Sequence, residues 1–335
     1  MADRLSDSRF ARRFGLSTPI ALAPMAFGTG GALATTCAKA GALALIGGAY
    51  GDLEFTSTQY SAAEEALCDT PEALARLGCG FITWRLEEDS SALDWLLDRE
   101  AKPAAIMLSF GDPTALAKRI IAADIALICQ VQTLAMAREA VEAGASVIVA
   151  QGAEAGGHGM NALDGRSTFT LVPEIADYLA AKAPHVQLLA AGGIADGRGL
   201  AAALMLGADG ALVGSRLWAS AESLAPEAAI AQAVAADGDS TARSKVFDIL
   251  REKNWPAHFD FRALRNGIHR EWEGRLDELG ADPAGAIANY KAGVEARDYS
   301  RAHVTVGEGT GLIKDAPSAG EIIAAIDAEA RVLLQ

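Results

Sequence analysis

The stretch Ile125-Ala-Leu-Ile-Cys129, then Leu134-Ala-Met-Ala-Arg-Glu-Ala-Val-Glu-Ala143, Gly144 and Ser146-Val-Ile-Val-Ala150 sets out one complete structural beat. A short, continuously apolar run reads as a strand buried on both faces, because a half-exposed strand would alternate apolar and polar residues. The Ala, Leu, Glu and Arg segment that follows favours helix. Gly144 stands where a helix needs a left-handed cap before the next strand begins.

Working outward, the same beat recurs from Pro19 to Trp218. The remaining apolar runs are Pro19–Pro24, Ala42–Ile46, Gly80–Trp84, Ala104–Leu108, Val186–Ala190 and Gly210–Val213. Helical patterns lie between them, and Gly41, Gly78 and Gly207 close helices in the manner of Gly144. Eight strands joined by helices over roughly 200 residues predict a (β/α)8 barrel, with functional groups on the loops that follow the strands. An open doubly wound sheet is the rival, and the count of eight separates the two.

After Trp218 the rhythm stops. Residues Ala219–Arg301 hold helix-like patterns at Pro226–Ala235, Ala242–Leu250, Trp272–Leu279 and Ala284–Ala296, with no convincing strand. This predicts a barrel over 1–218 and 304–335, with 219–303 a helical subdomain beside the barrel mouth. Val304–Leu312 is punctuated by glycine, and Ser318–Leu334 reads as a terminal helix.

Composition bounds the function. The 335 residues are 51% hydrophobic and 21% charged, which suits a folded globular chain and excludes a disordered one. A net charge of −14 repels phosphate backbones, so nucleic acid is not an expected partner. Cys37, Cys68, Cys79 and Cys129 are widely spaced, which argues for a reducing compartment and against a disulfide framework or structural zinc. The N-terminal segment carries Arg4, Arg9, Arg12 and Arg13 but no apolar signal core, and no membrane-spanning run follows. The expected location is the cytoplasm.

The chemistry-bearing stretch is Gln151-Gly-Ala-Glu-Ala-Gly-Gly-His-Gly159, after the sixth strand. With Gly156, Gly157 and Gly159 around it, His158 has an uncrowded imidazole in a loop, and a flat ligand could lie against the glycine surface. An imidazole suits a general base or proton donor. Glu154 either orients His158 or is a solvated loop acid. Ala190-Ala-Gly-Gly-Ile-Ala-Asp-Gly-Arg-Gly199 follows the seventh strand and opens a helix, while Gly210-Ala-Leu-Val-Gly-Ser-Arg216 is the eighth strand and its turn. These loops commonly form a phosphate site from backbone N–H groups and a helix N-terminus. Gly192, Gly193, Gly214 and Ser215 are the candidates here. In Ala23-Pro-Met-Ala-Phe-Gly-Thr-Gly-Gly31, Leu33 stands where a dinucleotide fingerprint needs its third glycine, and Asp52 lies in a loop. Met25, read alone, is core packing. Gln130 points from the fifth strand end toward the mouth that holds His158. His185, His258, His269 and His303 have no metal-ligand spacing and read as structural or surface residues, and no metal site is expected.

Together Ala23-Pro-Met25, Gly47-Gly48, Gln130, Gln151–Gly159, Ala190–Gly199 and Gly210–Arg216 resemble the nitronate monooxygenase family, formerly 2-nitropropane dioxygenases. The resemblance spans Pro19–Ala219 and returns at Val306–Ile313. The superfamily also includes the FMN-dependent enoyl-acyl-carrier-protein reductase II. The resemblance implies an FMN-binding TIM barrel with a helical domain at its mouth. It places the FMN phosphate at Gly193, Gly214 and Ser215, and the isoalloxazine near Ala23, Pro24, Met25 and Gly157, with Gln130 on its polar edge. His158 matches the catalytic histidine. One departure is Ile82-Thr83-Trp84-Arg85, where family members commonly carry Gly-Val-Asn, so that an indole replaces a small polar flavin-side residue. The implied reaction is oxidation of an alkyl nitronate by FMN and O2 to a carbonyl compound and nitrite, with a homo-oligomer left open. Either His158 removes the α-proton of a nitroalkane, or its imidazolium holds the nitronate charge. The alternatives are an NAD(P)H-dependent FMN reductase of enoyl thioesters or quinones, and a flavin binder without catalysis. A carrier-protein reductase needs a basic docking patch, against which the acidic balance argues.

Overall fold

The structure, a computed structural model, describes residues 5–335; residues 1–4, and with them Arg4 of the basic N-terminal segment, lie outside the described residues. Strands β1 (Ile20–Leu22), β2 (Leu43–Ala49), β3 (Leu77–Ile82), β4 (Ala105–Ser109), β5 (Ala126–Val131) and β6 (Val147–Gln151) run in chain order around a closed parallel barrel. Strand β7 (Gly157–Met160) leaves it, and β8 (Gln187–Ala191) and β9 (Gly210–Val213) complete it. Closure comes from β9 on β1, with Leu22 opposite Val213. All eight apolar runs of the sequence fall on barrel strands, as a (β/α)8 barrel requires, although the third strand begins at Leu77 and ends at Ile82, leaving Thr83 and Trp84 of its run to a helix.

Alternation within each strand divides the core in two. Leu43, Leu45, Met107, Ile128, Val147, Val149, Leu189 and Leu212 pack with one another inside the barrel. Their neighbours Ala44, Ile46, Ile106, Leu127, Ile148 and Leu188 pack outward against the helices. That is the two-faced burial which continuous apolar runs announce. A short helix, Arg9–Phe14, plugs the N-terminal end of the barrel by burying Phe10 among the interior residues. Arg9 fastens the plug to Asp209 at 2.7 Å. With one end sealed, the open end lies where the strands finish at Ala23, Gln130, Gly192 and Gly214.

Residues 219–303 are not wholly helical. Strands β10 (Thr241–Ser244) and β11 (Phe259–Leu264) pair antiparallel, and β11 pairs in turn with β7, giving a separate three-stranded sheet in the order β10-β11-β7. The stretch expected as one helix, Ala242–Leu250, is therefore strand β10 followed by the helix Val246–Leu250. In β11 (Phe259-Asp-Phe-Arg-Ala-Leu264) buried and half-buried residues alternate. The alternation is visible in the sequence, but the strand is short and lies among helical patterns.

The terminal helix, Ala319–Leu333, begins with Ser318 and Glu321 in a reciprocal capping box. It packs on the helix Gly197–Met205 so closely that a Cβ at Gly197 would lie 2.5 Å from the backbone N of Ala330.

Candidate functional site

The strand ends and the outer sheet enclose a cavity of about 830 Å³. Ala23, Pro24, Met25, Gln130, Gly157, His158, Gly192, Gly193, Gly214 and Ser215, drawn from five separate stretches of sequence, all reach its wall. The loop Ala23–Met25 is pressed onto the barrel by glycine: a Cβ at Gly80 would lie 2.3 Å from Pro24 Cγ.

His158 is on strand β7, opposite Phe261 of β11, rather than in a free loop. Its imidazole is crowded. It stacks on Trp255 with ring centroids 3.3 Å apart and planes 10° apart, and Phe261 and Phe110 close around it at 4.8 and 6.3 Å. The Nε2 atom meets Asp248 Oδ1 at 2.8 Å, with 7% and 3% of the two side chains exposed. Among the described residues, Nδ1 has no hydrogen-bond partner. The backbone is held as well: Gln151 donates to the His158 carbonyl at 3.0 Å, and Gln132 donates to Gln151 at 2.8 Å.

The glycines around His158 serve the packing of the chain. A Cβ at Gly156 would lie 2.5 Å from the backbone N of Gly307, and one at Gly159 would lie 2.9 Å from Arg243 Nη1. Arg243 clamps the loop by donating to the carbonyls of Ala155, Gly157, Asp260 and Ala153. Burial pushes this guanidinium down to about 10, and Arg262 beside it pushes the same way. Lys245 braces the Trp255 loop by donating to the carbonyls of Pro256 and Phe259.

Electrostatics follow from this enclosure. Burial drives the His158 imidazole well below its ordinary pKa, and Arg251, Arg243 and Lys245 add to the shift. The ring is therefore neutral. Burial pushes Asp248 up to about 7, opposed by Arg251 and Lys245. If Asp248 accepts the Nε2 proton, the Nδ1 lone pair is the available basic site.

Several expectations are corrected. Glu154 does not orient His158; its carboxylate accepts from the backbone N and hydroxyl of Thr168, fixing the loop to the helix Thr168–Lys182. The N-terminus of the helix Gly197–Met205 is already satisfied, with Asp196 accepting from Gly199 and Glu329 from Gly197. Trp84 is not on the cavity wall. The chain turns into the helix Thr83–Leu86 directly after β3, so the indole packs behind Trp255 at 5.6 Å. His303 lines the cavity, bonded to Tyr290 at 2.7 Å, and burial pushes it down to about 3.

Asp248, Trp255, Arg251 and Phe110 belong to the site without any local motif. Asp248 is separated from His158 by 90 positions. Gly307 and Gly309 also line the cavity, and Gly307 donates its N–H to Ser215 Oγ at 2.9 Å. Their signal was the glycine punctuation of 304–312.

Among the described residues no helix is long and apolar enough to cross a membrane, and no cluster of three or more His, Cys, Asp or Glu could hold a metal.

The family model for nitronate monooxygenase matches residues 85–329. A nitronate monooxygenase of Neurospora crassa is 32% identical, covering 92% of this chain and 88% of the relative. Among solved structures, a mutant of FabK from Thermotoga maritima superposes with a TM-score of 0.78 at 25% identity, covering 98% of this chain and 97% of that one. A nitroalkane oxidase from Streptomyces ansochromogenes superposes at 0.79 with 23% identity, covering 96% and 98%, a likeness of fold. The chain belongs to the nitronate monooxygenase family of flavin oxidoreductases.

Proposed function

We propose that this protein binds FMN and oxidises alkyl nitronates with O2 to a carbonyl compound and nitrite. The observation that carries the reading is the buried, neutral His158, held at Nε2 by Asp248 and set in the wall of a glycine-lined cavity.

The residues present fit FMN. Gly192 and Gly193 have φ of +105° and +74°, a backbone that L side chains rarely adopt. A Cβ on Gly193 or Gly214 would meet nothing closer than 3.6 Å, so both positions leave room beside their amides. Gly192, Gly193, Gly214 and Ser215 would hold the phosphate through backbone N–H groups, with Gly307 and Gly309 as the facing loop. Ala23, Pro24, Met25 and Gly157 would flank the isoalloxazine, and Gln130 would bond its polar edge. Bound there, FMN supplies the two-electron redox chemistry, which no side chain provides.

The chain supplies binding and proton chemistry. A neutral imidazole whose Nε2 proton is held by a carboxylate is a base at Nδ1, able to take the α-proton from a neutral nitroalkane. Burial and three nearby cations oppose an imidazolium, so the reading in which His158 holds the nitronate as a cation is disfavoured. The aromatic wall of Trp255, Phe110 and Phe261 keeps water from the base.

A second reading, NAD(P)H-dependent reduction on the same scaffold, draws on the likeness to FabK. It also draws on a local feature that the overall charge conceals: Arg251, Lys253, Lys291 and Arg297 all line the cavity of an otherwise acidic protein.

Anaerobic mixing of the yellow protein with propane-2-nitronate, and separately with NADPH, decides between them. Flavin bleaching by the nitronate alone is expected. Bleaching by NADPH alone overturns the reading.

A further inference from the structure

Of the arginine and lysine side chains around the cavity, Lys253 and Arg297 are exposed to solvent, and the others are nearly all committed. Arg243 is spent on four carbonyls. Arg262 is spent on the Ala153 carbonyl, the Thr241 hydroxyl and Glu308. Lys245 holds two carbonyls and lies 3.6 Å from Asp260, and Lys291 pairs with Glu252. Arg251 differs. Among the described residues its guanidinium has neither a hydrogen bond nor an ion pair, and its Nη1 is sealed from solvent with no acceptor.

Its position is specific. Arg251 follows the helix Val246–Leu250 that carries Asp248, and it lines the cavity. Its guanidinium lies 4.8 Å from the centroid of Phe261, the cross-strand neighbour of His158. Stacking occupies the face of a guanidinium and leaves its N–H edge unspent. An enclosed charged donor without an acceptor is costly, and it is relieved by an anion that enters the cavity. The fork geometry suits a planar group with two oxygens sharing one negative charge. A nitronate is such a group.

We propose that Arg251 is the anion receptor of the site: its N–H edge takes the two nitronate oxygens and sets the adjoining carbon beside His158. This rests on the nitronate reading and deepens it, since it makes the nitronate anion, rather than the neutral nitroalkane, the form held most tightly.

The test uses the FMN-loaded protein and two probes of the same shape, isobutyrate as a carboxylate stand-in for propane-2-nitronate and neutral isobutyramide. Binding is read from the flavin absorbance change and by calorimetry. The parent is expected to bind isobutyrate, and Arg251→Met to weaken it about ten- to a hundred-fold, the span expected for a charge-assisted pair. Isobutyramide binding should be unchanged. Arg251→Lys, which keeps the charge but not the fork, should fall between, and it carries the test if the methionine variant does not fold. Isobutyrate binding equal in parent and variants, equal loss of both probes, or no binding by the parent overturns the proposal. In turnover, KM for the nitronate should rise in step with the isobutyrate Kd; an unchanged KM would assign Arg251 to a carboxylate elsewhere on the substrate and overturn the nitronate assignment. Failure of the parent to oxidise nitronates, with arginine-dependent isobutyrate binding intact, would sink the functional reading and leave the receptor standing.

Discussion

The imidazole of His158 and the indole of Trp255 lie face to face, 3.3 Å between ring centroids and 10° from parallel. The contact covers the imidazole with an apolar plate and so contributes to the burial that keeps it neutral. Truncating the indole should be felt twice. Trp255→Ala should destabilise the protein by about 3–5 kcal/mol, the usual cost of emptying a buried tryptophan site. It should also admit water to His158 and raise the histidine toward its ordinary pKa, so the acid limb of the kcat/KM profile moves to higher pH. Trp255→Phe should shift that limb less. Denaturant melts and pH–rate profiles of the three proteins check this.

Asp248 makes a separate prediction about stability. Its folded pKa, about 7, lies above the ordinary 3.8, so the folded state binds the proton more tightly than the unfolded chain. The stability linked to this group is present below about 3.8 and is lost as pH rises toward 7. Asp248→Asn removes the titration. Relative to that variant, the parent should lose stability between pH 4 and 7 and remain level above it. His158 has the opposite sign: its depressed pKa contributes stability above 6.5 that is lost as pH falls. Urea titrations across pH 4–9, with His158→Asn in parallel, separate the two.

Removing the base should divide two substrates. His158→Asn should lower turnover of a neutral nitroalkane by ~10²–10⁴-fold, the usual worth of general-base assistance. A preformed nitronate needs no deprotonation and should keep part of its rate. Equal loss on both would move His158 to an electrostatic role, and no loss on either would reduce it to a structural residue of β7.

The phosphate cradle can be tested by charge at constant size. Ser215→Asp should repel the FMN phosphate and yield colourless protein, whereas Ser215→Asn, of similar shape and neutral, should remain yellow. The flavin released from the parent on denaturation should be FMN and not FAD, by chromatography. Two equally yellow variants would place the phosphate elsewhere.

The barrel was legible because its signal is local: each strand is a run of apolar residues, and Gly41, Gly144 and Gly207 follow helices with positive φ, whereas Gly78, expected as a cap, lies inside strand β3. The glycine loops were legible for the same reason. The partners of His158 were not. Asp248 and Trp255 are ordinary residues in a segment without motifs, and only the pairing of β7 with β11 brings them to the imidazole. Glu154 was the natural candidate for that role because it is near in sequence, but its carboxylate turns to Thr168. The glycines beside His158 suggested open space, yet Gly156 and Gly159 are small because Gly307 and Arg243 press on them. A short residue marks close approach without saying what approaches.

The three-stranded sheet bears on the order in which the molecule matures. Every strand of the barrel has been synthesised once residue 213 emerges from the ribosome, so the scaffold can close on its own schedule. Strand β7 then carries His158 with no ladder partner, because the residues that pair with it are 259–262. Asp248 and Trp255 arrive in the same interval. A nascent chain therefore holds a closed barrel before it holds the surroundings of His158, and the imidazole acquires its covering and its charge state, and the cavity its Gly307 and Gly309 wall, only when the last third of the polypeptide docks.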